Sequence, residues 1–362
     1  MLENIVIEGF RGFNHIELKD FKQFNLFVGK NNYGKTTILE SIFLLIGASN
    51  PALPIVTNSN RDLKTIDKNT WSLFFNNLNM DSNIRITGFL NDLDQKRELV
   101  IKPSTEIDDP TQTTTDNAKI TSDSKEGRSF SLPSINGLML EYSLIKSKKR
   151  KGERNETIVT HVYASSGGLK YKFDKAYKEH MIGVYLDQNK QDVIANFNEI
   201  QIKKLTQDIV KILHLIEPSL NSISLGAGGL IYCDIGLNKL VPINILGSGI
   251  FKIMSILLAI IAYPNGIVMI DEIENGLYPS SQEILWQAIF KAAKEHNVQI
   301  FATTHSIECI KAFSSTYSDN NLAQNDDNIR LFRIEKKNDN YNIVRYNNRI
   351  LAASLESGWE VR

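Results

Sequence analysis

The stretch Phe24-Asn25-Leu26-Phe27-Val28-Gly29-Lys30-Asn31-Asn32-Tyr33-Gly34-Lys35-Thr36-Thr37 joins a short apolar run to a glycine-bounded turn and then to a helical pattern. Its centre, Gly29 to Thr36, matches G-x-x-x-x-G-K-[ST]. The two glycines let the loop curl so that backbone N–H groups point inward at phosphate oxygens. The helix that follows offers its positive N-terminus to the same oxygens. In this spacing Lys35 reaches the β- and γ-phosphates, and the Thr36 hydroxyl ligates Mg²⁺. Gly29, Asn31, Asn32, Gly34, Lys35, Thr36 and Thr37 are therefore expected to hold ATP with its Mg²⁺. The helix is expected from Thr36 to Ile46, with Ile38, Ile42, Leu45 and Ile46 on one face and its end near Gly47.

Two later apolar runs end in polar groups of the kind such a loop needs. Ile267-Val268-Met269-Ile270 runs into Asp271-Glu272. A buried strand would carry Asp271 to the carboxyl edge of the sheet, where open α/β sheets bind ligands. Asp271 is then the expected metal partner of Thr36, and Glu272 the expected general base for an attacking water. Gln299-Ile300-Phe301-Ala302-Thr303-Thr304 runs into His305-Ser306. His305 is expected at the γ-phosphate or the catalytic water.

Around these pieces the chain alternates strands and helices, which argues an α/β fold with a parallel or mixed sheet flanked by helices. Strand-like runs fall at Ile5–Phe10, His15–Leu18, Ile84–Leu90, Glu98–Ile101, Leu138–Leu144, Thr157–Tyr163 and Leu169–Phe173. Residues 50–185 read as a β-rich insertion with an antiparallel lobe. Residues 103–128, rich in Thr, Ser, Asp, Asn and Lys, read as a mobile loop, because they cannot repay their ordering entropy. Residues 186–225 read as a helical subdomain. The end of the chain reads as two strands, Ile329–Glu335 and Asn342–Tyr346, and a short tail in which Trp359 is expected to pack on the sheet, docking a partner being the other reading. The whole of 1–362 is expected to form one domain.

Lys plus Arg equals Asp plus Glu, at 41 each, so overall charge argues for neither nucleic acid nor membrane as a partner. The two cysteines, Cys233 and Cys309, lie in no metal-ligand spacing and make no disulfide framework. A reducing cytoplasm is the natural setting. The start Met1-Leu2-Glu3-Asn4-Ile5 lacks the regions of a signal peptide. The apolar stretch Ile253–Ile270 is broken by Pro264-Asn265-Gly266 after about ten residues, short of the ~20 that span a bilayer. It reads as a buried helix, a turn and a buried strand.

The phosphate loop, the acidic strand, the His strand and the segment Ile245-Leu246-Gly247-Ser248-Gly249-Ile250-Phe251-Lys252 stand in an order that resembles the ABC-type ATPase heads of the SMC, RecF and OLD group. Glu272–Leu277, Ala302–Ser306 and the opening Ile5–Phe13 are similar to the short bacterial ABC-like AAA proteins associated with phage defence. The resemblance covers residues 1–47 and 240–313. It implies a P-loop NTPase of ABC type that sandwiches two ATP molecules in a homodimer or higher homo-oligomer. Gly247-Ser248-Gly249 of one chain would meet the γ-phosphate held by the other. Gly247 stands where the L-S-G-G-Q pattern has its serine, and Ser248 supplies a hydroxyl one position on. Gln188, in Tyr185-Leu186-Asp187-Gln188-Asn189, falls where such heads carry a metal-sensing glutamine; a plain loop amide is the other reading. Arg11 falls where they carry an arginine near the nucleotide; a solvated strand-end arginine is the alternative. Asn275-Gly276-Leu277-Tyr278 occupies the D-loop position without its aspartate.

The dense basic run Lys146–Arg154 tops a hairpin. It either holds nucleic-acid phosphates or is a solvated turn. The chain is too short past His305 for the TOPRIM domain of OLD-type nucleases, so a TOPRIM-like effector would be a separate polypeptide. The resemblance thus implies an ATPase that controls an effector in anti-phage defence. A RecF-like DNA repair ATPase and a non-hydrolysing ATP-switched scaffold are the alternatives.

Overall fold

The structure is a computed structural model and describes residues 1–63, 68–105, 135–146, 156–165, 168–172, 182–186, 190–319, 327–338 and 340–362. Gln188 lies outside the described residues, as do 106–128 of the Thr- and Ser-rich stretch and 147–154 of the basic run. Pro103–Thr105, expected in the loop, instead complete a strand.

Five strands form the parallel part of one sheet, and the three central ones, Phe24–Val28, Gln299–Thr303 and Ile267–Ile270, are buried at every residue, as parallel strands covered on both faces are. The five are β3 (Phe24–Val28), β9 (Gly183–Leu186), β13 (Ile267–Ile270), β14 (Gln299–Thr303) and β15 (Ile329–Lys337). With β16 (Asn340–Tyr346) they stand in the order β16-β15-β3-β14-β13-β9, and only β16 runs antiparallel to its neighbour. The period of two divides their side chains between two cores. Phe24, Leu26, Val268, Ile270, Ile300 and Ala302 join the helices Ser248–Ala262, Pro279–Glu295 and Ile307–Asp319. Phe27, Met269 and Phe301 join the helix Lys35–Ile46 on the other face. A slip of one residue in β3 would exchange these sets. Asn25 resists it too: buried in β3, its amide donates to the carbonyls of Lys22 at 2.6 Å and Ile300 at 3.1 Å.

The second sheet is antiparallel throughout. Its strands are β1 (Leu2–Phe10), β2 (Phe13–Lys19), β4 (Ile84–Leu90), β5 (Gln95–Thr105), β6 (Ile135–Lys146), β7 (Glu156–Ser165) and β8 (Gly168–Lys172), in the order β2-β1-β4-β5-β6-β7-β8. The β-rich middle of the chain thus pairs through β4 onto the N-terminal strand β1. This sheet closes over the outer side of the helix Lys35–Ile46, and both share one core. A third small sheet, β10 (Ser222–Leu225), β11 (Ile231–Asp234) and β12 (Val241–Pro242), packs with the helices Lys190–Ile202 and Thr206–Leu213 against the core on the other face.

The chain end departs from expectation in two ways. Asn348–Glu356 is a helix, capped by Asn347, whose side chain accepts from Ile350 N–H at 2.9 Å. An Asn before an apolar periodic run is a cap signal that the sequence did carry. Trp359 does not pack on the sheet. It is 71% exposed, and Val361 is the tail residue that is buried. No helix of the described residues is long and apolar enough to cross a membrane.

Candidate nucleotide site

β3 ends at Val28, and the loop 29–34 leaves the carboxyl edge of the sheet directly. Gly29 has φ 140°, and a Cβ there would lie 2.5 Å from the Ile334 carbonyl on β15. Gly34 has φ 89°, and a Cβ there would meet the Phe13 ring at 2.3 Å. Both positions admit only glycine, for conformation and for space. Gly34 caps the helix Lys35–Ile46 with no side-chain hydrogen bond, so the first-turn N–H groups are left for a ligand. Lys35 folds back over the loop, its Nζ donating to the carbonyls of Gly29 at 2.7 Å and Lys30 at 3.2 Å. Burial lowers its pKa, against the pull of Asp271, Glu272 and Glu274.

Asp271 follows β13 and is surrounded by hydroxyls. Thr36 Oγ1 donates to its Oδ2 at 2.8 Å, Tyr185 OH to the same oxygen at 3.2 Å, and Thr303 Oγ1 to Oδ1. Burial, with the charges of Asp271 and Glu40, drives the Tyr185 phenol far above its ordinary pKa, so it stays a donor. Thr303 Oγ1 also accepts the Glu272 N–H at 2.8 Å. Glu272 holds a left-handed backbone, φ 46°. Its carbonyl accepts from Lys252 Nζ at 2.6 Å, and the Asn275 amide donates to its carboxylate. His305 lies two residues past β14. Its backbone N–H and its Nδ1 meet Glu274 Oε1 at 2.8 and 2.9 Å.

A cleft of about 840 Å³ opens over the loop, lined by Asn31, Asn32, Gly34, Lys35, Thr36, Thr37, Asp271, Glu272 and Arg11 among others. Arg11 is not a solvated strand-end residue. Its side chain is 9% exposed, and its guanidinium lies 5.4 and 5.3 Å from the ring centres of Phe10 and Phe74. Nε meets Glu40 Oε2 at 2.9 Å, and Nη2 donates to Asn58 Oδ1 at 3.2 Å. Burial lowers its pKa to about 10 although Glu40 opposes the shift.

Sequence reasoning missed Arg61. It grips Glu40 with Nε at 2.7 Å and Nη2 at 3.0 Å, and Nη2 also donates to Thr37 Oγ1 at 3.2 Å. Burial works against its charge, and the hydrogen bonds and charge of Glu40 prevail, raising its pKa. The available signal was Glu40 itself, a carboxylate among the apolar positions of a helix, which demands cationic partners. Tyr185, Thr303 and Lys252 were missed as well. Each reaches the site only through tertiary packing.

The structure thus gathers the loop, Thr37, Asp271, Glu272 and Arg11 around one cleft. It does not bring Gly247-Ser248-Gly249 there. They open the helix Ser248–Ala262 with Gly247 and Ser248 exposed, and Gly249 lies against the turn at Gly276. His305 stands outside the cleft lining as well. The donor set fits ATP with Mg²⁺. A hydroxyl and a carboxylate in contact offer the all-oxygen pair that magnesium takes beside phosphate oxygens. Among the described residues no cluster of three or more His, Cys, Asp or Glu is placed to hold a metal. A magnesium site completed by phosphate needs no such cluster.

The family model described as "AAA domain, putative AbiEii toxin, Type IV TA system" matches residues 24–310, from β3 through the His strand. The chain belongs to this AAA family. This AAA domain is 23% identical over 377 residues to an "ATP/GTP phosphatase" of Helicobacter pylori, covering 95% of each chain. A 44-residue segment is 52% identical to the "DNA replication and repair protein RecF" of Geotalea uraniireducens, covering 12% of each chain. Among solved structures, an Smc head bound to the C-winged helix domain of ScpA superimposes with a TM-score of 0.50 at 10% identity, over 96% of this chain and 97% of that one. The fold is accordingly that of an SMC-head, ABC-ATPase-like P-loop NTPase, and the AAA domain is of ATPase type.

Proposed function

We propose that this AAA domain binds ATP with Mg²⁺ at Gly29–Thr37 and hydrolyses it, and that two copies close around two nucleotides. The observation that carries the reading is the 2.8 Å contact between the Thr36 hydroxyl and the Asp271 carboxylate at the mouth of a loop whose lysine and helix N-terminus face the same cleft. Main-chain N–H groups of the loop and Lys35 Nζ neutralise the phosphates. Thr36 and Asp271 would hold Mg²⁺, with Gln188 as a further candidate, and the ion would supply charge stabilisation at the transferred phosphoryl. Glu272 takes a proton as water oxygen bonds to Pγ, and the bond from Pγ to the β,γ-bridging oxygen breaks to release ADP. Arg11, held by Glu40 and two rings, flanks the nucleotide. His305 meets the γ-phosphate or the catalytic water once the sandwich is closed.

Gly247-Ser248-Gly249 complete the site from the second copy. The exposure of Gly247 and Ser248 and the absence of all three from their own chain's cleft lining support this arrangement. On this reading opening and closing controls a separate TOPRIM-like effector in anti-phage defence, for which the motif resemblance is the support. A relative named as an ATP/GTP phosphatase supports turnover. A non-hydrolysing switch is the second reading, favoured by the Asn275 amide engaging the Glu272 carboxylate.

Phosphate release and nucleotide affinity separate the two. Lys35→Ala is expected to weaken Mg²⁺-dependent ATP affinity about 10- to 100-fold, the worth of a charged hydrogen bond. Glu272→Gln is expected to keep that affinity, lower phosphate release about 10²- to 10⁴-fold and accumulate dimer in size-exclusion chromatography. Wild-type release from Glu272→Gln removes the residue from its role.

A further inference from the structure

Glu274 stands three residues past Asp271 and has no part in the scheme above. Its side chain is 7% exposed, an expensive place for a carboxylate. Its Oε1 faces the His305 backbone N–H at 2.8 Å and the His305 Nδ1 at 2.9 Å. Its Oε2 is buried and has no hydrogen-bond partner. Lys252, Lys35 and Cys309 feel its charge, and the two lysines donate to the carbonyls of Glu272 and of Gly29 and Lys30. A carboxylate that leaves one oxygen orphaned in the interior, while the other receives two groups of a single histidine, is arranged around that histidine. His305 itself is half exposed, 52%.

The consequence lies in the ring. A carboxylate only accepts, so the imidazole nitrogen that faces it must carry a proton. Nδ1 is therefore the protonated nitrogen, and Nε2 is the one turned away from Glu274 and open to what approaches from outside. Neutral imidazole in water prefers its proton on the other nitrogen, and a partner's hydrogen bond decides which nitrogen holds it. The backbone bond to the same oxygen fixes where the ring begins, so Glu274 sets both the place and the tautomer of His305.

We propose that Glu274 is a positioning residue that locks neutral His305 in the Nδ1–H tautomer and presents Nε2, as an acceptor, to the water that attacks the γ-phosphate. The inference rests on the hydrolytic reading of the site, and its test has an arm independent of that reading. No bond to Glu274 is made or broken; the proton on Nδ1 stays there throughout.

The test compares Glu274→Gln and Glu274→Leu in the full chain. Gln keeps an oxygen able to accept both bonds, whereas Leu keeps volume and removes both. Imidazole ¹⁵N shifts, measured without nucleotide and assigned to His305 with His305→Asn, report the tautomer. Wild type and Glu274→Gln are expected to show the Nδ1–H form, and Glu274→Leu the Nε2–H form. In steady-state phosphate release Glu274→Leu is expected to lose about 10²-fold in kcat with KM for ATP little changed, the scale of a displaced acid–base group. Glu274→Gln is expected to recover most of that loss. An Nε2–H tautomer in the wild type overturns the proposal, as does wild-type kcat in Glu274→Leu, or an equal loss in both variants. If the wild type releases no phosphate, the hydrolytic reading falls and the tautomer alone decides whether Glu274 holds the ring.

Discussion

Thr303 shows how much of the site depends on one hydroxyl. It donates to Asp271 and accepts the Glu272 N–H, so it joins the expected metal ligand to the backbone of the expected base. Thr303→Val keeps the shape of this fully buried residue and removes both bonds. Each buried polar group left unpaired costs about 1–3 kcal/mol. The variant is expected to unfold at lower urea concentration by that margin and to bind Mg²⁺–ATP more weakly, with Thr303→Ser restoring both. The two carboxylates at the cleft were legible in the sequence because they end an apolar run; His305 ends another, and the structure leaves it outside the cleft lining. Thr303 was not. Its place opposite Asp271 follows from the parallel register, in which Ile270 pairs with Ala302, and no local pattern encodes that register. The same holds for Tyr185 on β9, which pairs with Met269.

At the scale of elements, the helix Lys35–Ile46 carries the site and is enclosed over most of its length. Its sequence announced an apolar face of Ile38, Ile42, Leu45 and Ile46, yet every residue from Thr37 to Ile46 is buried. Both sheets cover it: Phe43 lies 5.6 Å from the Tyr185 ring on β9, and Leu45 lies against Gly88 on β4. Periodicity finds a helix and one face; a second face reads as noise until the second sheet is known. Glu40 lies in this enclosed helix, 1% exposed, with Arg11 on one oxygen and Arg61 on both. Glu40→Ala would leave two guanidinium groups without their carboxylate. Breaking a buried pair in this way costs about 3–5 kcal/mol, measurable by urea denaturation. Arg61 would also lose its hold beside Thr37, so ATP affinity is expected to fall together with stability.

Over the whole molecule, the class of fold was readable from alternation of strands and helices, and the order of strands was not. β1 and β2 precede β3 in sequence but belong to the other sheet, and strands from the middle of the chain complete that sheet. Pairing among distant antiparallel strands is a global choice, made by which faces bury together. The same scale decides what Gly247-Ser248-Gly249 do. Outside the lining of their own cleft, with Gly247 and Ser248 exposed, they act between molecules on the proposed reading. Ser248→Arg is then expected to leave Mg²⁺–ATP affinity of the monomer intact while it abolishes ATP-driven dimer and lowers phosphate release about 10²-fold. Light scattering with and without ATP checks the first effect and phosphate release the second. A variant that still dimerises and turns over places those residues outside the reaction.

The tail that carries Trp359 gives the molecule an optical property. Trp71 and Trp286 are 0% and 1% exposed, and Trp359 is 71% exposed, so a collisional quencher such as iodide reaches one indole of the three. Three residues on, Arg362 Nη1 approaches the His305 carbonyl at 3.5 Å. Emission from a single accessible fluorophore therefore reports on the surface beside His305. Whatever settles over that surface on nucleotide addition will shield the indole, lower the Stern–Volmer slope and shift the spectrum to the blue.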